Sequence, residues 1–446
     1  MFPIYDVETA QKTILKRSPL DEMPIPQQVL DRLKNTFGRE ISPAEAVREI
    51  IRDIRTNGNS AVRRWTQTLD QVNLADFRIP SAKIQNALNS LDPALRQALE
   101  TSASRIEQFY QKQPAISWLD QSMGGSLGQM LRPMERVGIY VPGGTAPLPS
   151  TVLMTAIPAR VAGVKQVVMV TPPGRGTGEV NPVILAAAAI ADVDEVYAVG
   201  GAQAIAALAY GTETITRVDK IVGPGNLFVT LAKQQVFGTV GIDGLAGPTE
   251  TIVIADETTR PDWAAADLLA QAEHDVMAAA ILLTPSKKVA QAVQKEMAAW
   301  LEGKDDVNLT RTEIFNISLR NRSGAVITRD IAEAVELSNQ YGPEHLNLAV
   351  KDPWNWVEKV TCSGGVFIGE TSCEVMGDYM AGPSHVMPTG GSARFASPLN
   401  VWDFLRIISV IGLNPSAAAD LGCQADILAR AEGLDAHALA GRLRSA

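Results

Sequence analysis

Behind a Ser42-Pro43-Ala44-Glu45 capping box, apolar residues at Ala46, Val47, Ile50, Ile51 and Ile54 recur at helical spacing, so one face of that helix is predicted to be buried and Gly58 to close it. Polar-rich helical segments continue to about Gln113. From Val137 the pattern changes. Short, mainly apolar runs at Val167–Thr171, Glu195–Val199 and Asp219–Val222 read as strands, separated by helices at Asn181–Ile190, Ala202–Tyr210 and Leu227–Val236. A second series predicts strands at Thr251–Ala255, Ala280–Thr284, Ala325–Thr328, Leu346–Val350 and Val366–Ile368. Its helices are Asp262–His274, Ser286–Leu301 and Ile331–Tyr341. Strands apolar on both faces that alternate with helices belong to parallel sheets covered on both sides.

The predicted fold class is therefore α/β. Two lobes carry parallel, incomplete Rossmann-like sheets, with small helical N- and C-terminal extensions. The boundaries are an N-terminal helical extension over 1–32, a main catalytic lobe from 33–137 plus 248–400, a second lobe over 138–247, and a helical tail over 401–446.

Composition narrows the function. A net charge of -9 disfavours a nucleic-acid backbone as partner. The longest apolar run, Val183–Ala191, is far short of a membrane span, and the first residues lack a basic-then-apolar signal pattern. A cytoplasmic enzyme is expected. Cys362, Cys373 and Cys423 are odd in number and widely spaced, which implies neither a disulfide framework nor a Cys-x-x-Cys zinc site.

Glycine turns follow three predicted strands of the 138–247 lobe: Tyr140-Val141-Pro142-Gly143-Gly144, Gly200-Gly201-Ala202-Gln203 and Gly223-Pro224-Gly225-Asn226. Any one of them is ordinary turn geometry. Three at the carboxyl rim of one sheet point to a cleft for a dinucleotide or similar anion. Gly174-Arg175-Gly176-Thr177-Gly178 imitates a dinucleotide fingerprint, but Pro172-Pro173 separates it from its strand and Glu179 sits where pyrophosphate would rest. It reads as a loop.

Only four histidines occur, all after position 270: His274, His345, His385 and His437. Imidazole both binds transition metals and moves protons near neutral pH. Gln271 and His274, three apart on a predicted helix, share a face. With Asp378 and His437 they would make an oxygen/nitrogen set suited to zinc, cobalt or manganese. A surface position for His437 is the plainer alternative. Glu344-His345, adjacent after Gly342-Pro343, point in divergent directions and suit two separate proton-transfer roles rather than one metal, with an exposed loop pair as the plainer alternative.

In this order, these segments resemble the histidinol dehydrogenase family. The resemblance runs from about Arg132 to Arg444, through Val137–Gly144, Val199–Ala209, Val222–Asn226, Ala246–Glu250, Gln271–Asp275, Pro343–Leu346, Gly377–Tyr379, Pro388–Gly391 with Ala393–Phe395, and Glu432 with Ala436-His437. The first 130 residues share only helical character. The resemblance implies two successive NAD-dependent oxidations of L-histidinol to L-histidine in a zinc-dependent homodimer. Gln271, His274, Asp378 and His437 would hold the metal, which would grip the substrate's imidazole and amine. His345 would be the principal base, and Glu344 would activate water. Thr249, Gln271, His274, His345, Asp378, Glu432 and His437 would line the substrate pocket, and Tyr140, Gln203 and Asn226 would contact NAD. The tail, with Glu432 and His437, would reach the partner's active site. Thr249 stands where the family usually has serine. A relative oxidising another polar alcohol, a zinc hydrolase and a non-catalytic scaffold are the rival readings.

Overall fold

The computed structural model describes residues 2–17, 25–143, 147–304 and 307–445. The predicted alternation forms two parallel sheets. In the first, the strands lie in the spatial order Glu195–Ala198, Gln166–Thr171, Arg136–Tyr140, Lys220–Val222, Gly241–Ile242. The chain starts in the middle and winds outward in both directions, so a crevice opens beyond the carboxyl ends of Arg136–Tyr140 and Lys220–Val222. The second sheet has the order Ile4–Asp6, Gly324–Ile327, Ala279–Thr284, Glu250–Ala255, His345–Ala349, Gly365–Ile368, again all parallel. Strands such as Glu250–Ala255 and Ala279–Thr284 are buried along their whole length because apolar helices cover both faces.

Four features differ from the sequence expectation. The N-terminal extension is not purely helical: Ile4–Asp6 forms an edge strand beside Ala325–Ile327, and Gly324 leaves room for the Tyr5 ring. Three residues are too few to show a periodicity. Gly58 breaks its helix at φ 49 and ψ -131, but helix resumes at once, so the element runs Pro43–Asp70.

The third difference concerns the helices Pro43–Asp70, Ser81–Asn89 and Pro93–Tyr110, which pack on the first sheet. Val47, Ile50, Ile54 and Val62 join the core of Val168 and Val170, and Ile84, Leu99 and Ile106 join that of Val137 and Val167. The expected grouping of 33–137 with 248–400 is corrected accordingly: these apolar stripes find their complement on the nearer sheet. Finally, the tail is not all helix. Leu405–Leu413 is a nine-residue strand, antiparallel to Gly125–Pro133, which also pairs with Trp118–Asp120. Helices Pro415–Ala431 and Asp435–Arg442 follow, packed on each other with Gly422 against Gly441.

Candidate active site

The chemistry-bearing residues gather at the amino ends of two neighbouring strands of the second sheet. His345 opens one strand and Glu250 the other, with His345 opposite Thr251. Glu344 is buried, and its Oε2 accepts from Thr249 Oγ1 at 2.5 Å and from the Glu250 N–H at 3.1 Å. Burial pushes its carboxyl up to about 7; nearby His345, the Thr249 hydroxyl and the Glu250 N–H pull the other way. A carboxylate at that poise accepts a proton efficiently near neutral pH.

His345 is also buried. Its Nδ1 lies 3.3 Å from the Glu250 carbonyl oxygen. A proton on Nδ1 donates there, which leaves the Nε2 lone pair free, and Nε2 has no hydrogen-bond partner among the described residues. The neighbouring side chains, predicted to diverge, in fact approach: Glu344 Oε2 is 3.8 Å from Nδ1, on the side of the ring away from the free nitrogen. Asp378 Oδ1 stands 3.9 Å from Nε2.

Glu374 is not among the residues the sequence motifs single out. It opens the short helix Glu374–Tyr379, one turn before Asp378, is buried, and places Oε2 3.8 Å from His345 Nδ1. Burial and the neighbouring Asp378 hold its carboxyl well above the ordinary carboxylate range. The signal was the i, i+4 spacing of two carboxylates on one face.

Behind the strand ends, Arg17 clamps the buried Glu250. One guanidinium nitrogen bonds to each carboxylate oxygen, and Arg17 also donates to the Tyr341 and Gly342 carbonyls at 2.8 and 3.1 Å. This holds the turn that delivers Glu344 and His345. The N-terminal segment is therefore part of the support of the site.

Gln271 is fully buried in helix Pro261–Ala272, yet neither atom of its amide has a partner among the described residues. Such an amide costs about 1–3 kcal/mol unless something satisfies it. His274 Nδ1 lies 2.9 Å from the Ala270 carbonyl, and a proton there leaves the Nε2 lone pair free as a metal ligand. Among the described residues, no three His, Cys, Asp or Glu side chains form a metal cage. The expected set needs none: it draws on an amide, one histidine and one carboxylate of this pocket. Its fourth member, His437, is exposed on helix Asp435–Arg442 and forms no cluster with His274 and Asp378 among the described residues, and Glu432 is exposed at the end of helix Pro415–Ala431. The orphaned Gln271 amide and the N/O donor chemistry fit a zinc-type ion.

His385 serves as a structural link. Its Nδ1 lies 3.1 Å from the Asp378 carbonyl oxygen, and its Nε2 lies 3.2 Å from Thr151 Oγ1, in the helix that follows the first-sheet strand Arg136–Tyr140. It feels the charges of Asp378, His345 and His274, while burial keeps its ring below the ordinary histidine range. Through this link the pocket abuts the first sheet's carboxyl rim.

At that rim the glycine turns converge. Gly223 adopts φ 111 with the Tyr140 carbonyl where a Cβ would sit, and a Cβ on Gly200 would lie 2.5 Å from Pro172. Gly144, the last residue of the first turn, lies outside the described residues. Beside the rim, Gly143, Pro172, Gly174 and Asn181 line a cavity of about 420 Å³. The buried Tyr140 hydroxyl accepts from the Gly201 N–H at 3.1 Å. Gln203 is buried too, whereas Asn226 caps helix Leu227–Val236 through bonds of 3.1 and 3.2 Å. The Gly174–Gly178 segment closes on itself, Gly174 N–H to Glu179 O at 2.8 Å, and opens no helix.

A switch-point crevice on one parallel sheet, set against a buried acid–base pair on another, defines a two-lobed α/β enzyme. The family model described as histidinol dehydrogenase matches residues 36–445. The chain is 48% identical over 419 residues to histidinol dehydrogenase of Deinococcus radiodurans, covering 94% of each. Against that of Thermus thermophilus it is 50% identical over 400 residues, covering 90% of this chain and 94% of the relative. The crystal structure of histidinol dehydrogenase from Elizabethkingia anophelis superposes with a TM-score of 0.88 at 36% identity, covering 99% of this chain and 96% of the other. The chain belongs to the histidinol dehydrogenase family, oxidoreductases of histidine biosynthesis. The family match reaches back to residue 36, well into the segment where only helical character was expected to be shared.

Proposed function

We propose that this chain oxidises L-histidinol through L-histidinaldehyde to L-histidine in two NAD-dependent steps. The observation that carries the reading is the buried His345, with Nε2 free, beside a buried Glu344 poised at about 7. His345 Nε2 takes the hydroxyl proton of the alcohol as its carbon is oxidised. Glu344 then removes a proton from the water that adds to the aldehyde while protonated His345 returns its proton to the carbonyl oxygen, giving the hydrate and restoring the base, and His345 takes the hydrate's hydroxyl proton in the second oxidation. Tyr140, Gln203 and Asn226 would hold a nicotinamide coenzyme, which would supply the hydride acceptor, a fresh NAD replacing NADH before the second oxidation. Thr249 holds the Glu344 carboxylate while lining the substrate pocket.

Gln271, His274 and Asp378, with His437 of the partner subunit, would hold zinc, whose fixed positive charge supplies the grip on the substrate's imidazole and amine. Glu432 of the partner subunit would face the amine. The homodimer is supported by the exposed apolar side chains of the tail: Ile407, Ile408 and Ile411 on its strand, and Ile427 and Leu428 on its helix. So much apolar surface along one extension marks an interface. A cytoplasmic location is part of this reading; no helix among the described residues is long and apolar enough to cross a membrane. The test is turnover of L-histidinol by the zinc-loaded protein. Two NADH per L-histidine are expected, and no turnover, or release of the aldehyde after one NADH, would overturn the proposal.

A further inference from the structure

Gln203, one of the residues placed against the coenzyme, has a partner that the sequence did not single out. Its Nε2 donates to Asp70 Oδ2 at 3.2 Å. Asp70 is the last residue of helix Pro43–Asp70, which stops there through Gln71 at φ 60, a conformation uncommon for a residue other than glycine. The helix thus delivers a carboxylate from another part of the chain to the carboxyl rim of the first sheet. Tyr140, whose hydroxyl accepts from Gly201, lies within electrostatic reach of the same carboxylate.

No cation pairs with Asp70 among the described residues. Arg175 and Arg32 act on it from a distance, and Arg32 is tied instead to the Leu69 carbonyl at 3.0 Å. Asp70 Oδ1 makes no hydrogen bond among the described residues. Burial pushes the carboxyl up to about 6, so it is ionised at neutral pH. A carboxylate with one oxygen held by a buried amide and the other open is a ready acceptor for a diol. It also repels a phosphate monoester.

We propose that Asp70 selects NAD over NADP: its free oxygen accepts from a ribose hydroxyl of the coenzyme, and its charge excludes a 2′-phosphate. This rests on the reading that the coenzyme lies along Tyr140, Gln203 and Asn226. Removing the charge leaves Arg32 and Arg175 as uncompensated cations, so NADP should be gained as NAD is lost.

The test uses the zinc-loaded protein with saturating L-histidinol and measures KM and kcat for both coenzymes in Asp70→Asn, Asp70→Ser and Gln203→Ala. Asp70→Asn should raise KM for NAD about tenfold, the loss of one charge-assisted hydrogen bond. It should also lower the NAD:NADP ratio of kcat/KM by about a hundredfold. Asp70→Ser, which keeps a hydroxyl without charge, should shift the ratio the same way. If Asp70 only holds Gln203 in place, both coenzymes weaken equally and the ratio stays fixed, which overturns the proposal. Gln203→Ala should raise both KM values at an unchanged ratio. That result beside an inert Asp70 refutes the role of Asp70 alone, whereas no effect from any variant refutes the coenzyme rim itself.

Discussion

Thr249 Oγ1 donates to Glu344 Oε2 at 2.5 Å, and the Glu250 N–H reaches the same oxygen at 3.1 Å. Both bonds favour the ionised carboxylate and partly offset the burial that pushes Glu344 up. The hydroxyl, rather than its serine or threonine frame, is what the site uses.

Thr249→Val keeps the shape and removes the donor. Glu344 should then ionise about one pH unit higher, the equivalent of one lost hydrogen bond of about 1.4 kcal/mol. The acid limb of the pH–rate profile for aldehyde oxidation should move up by that amount, while Thr249→Ser should leave it in place. A limb that does not move in the valine variant contradicts the role.

The same carboxyl makes stability depend on pH. Its folded pKa of about 7 exceeds the ordinary 4.5, so between those values the native state binds more protons than the unfolded chain. Its contribution is therefore full below pH 4.5 and is lost as pH rises through 7, about 3 kcal/mol in all. Glu344→Gln should escape that loss. Denaturant unfolding at pH 4.5 and 8 should show the variant gaining on the wild type by up to about this amount, and a constant difference would argue against the raised pKa.

Arg17→Ala should be costly far beyond its position near the N-terminus. It leaves the carboxylate of Glu250, which is 1% exposed, with only the Gly390 N–H at 3.3 Å and Arg322 at 3.8 Å, and losses of a buried ion-pair partner run to about 3 kcal/mol. It also frees the Tyr341–Gly342 carbonyls that fix the turn before Glu344. Denaturation midpoint and kcat should fall together. A stable variant with reduced kcat would mean that Arg17 acts in a way this network does not describe.

If the tail completes the partner's site, two inactive variants should rescue each other. His345→Ala and His437→Ala homodimers, dissociated and reassembled together, form mixed dimers in which one site of two is intact. About a quarter of wild-type activity should return. No recovery after verified mixing would place His437 in its own chain's site or in none.

Much of this is legible in the sequence. Buried strands such as Ala279–Thr284 carry an apolar run, and the scarcity of histidine singles out His345 and His274. What escaped was set by contacts across long stretches of chain. Ile4–Asp6 is a strand only because Ala325–Ile327 offers it an edge. Leu405–Leu413 needs Gly125–Pro133, almost 300 residues earlier, and neither segment announces the pairing. Glu374 looks like an ordinary helix-start glutamate until burial beside His345 and Asp378 is seen. Asp70 likewise gains meaning only from Gln203.

The most direct measurement follows the products of Glu344→Gln with L-histidinol and NAD. His345, untouched, should still remove the alcohol proton, so the first oxidation should proceed, while loss of the water-activating carboxylate should slow the second by about a hundredfold or more. One NADH per histidinol should appear quickly, with L-histidinaldehyde captured by an added hydrazine. Two NADH and L-histidine formed at the wild-type rate would show that Glu344 does not activate water.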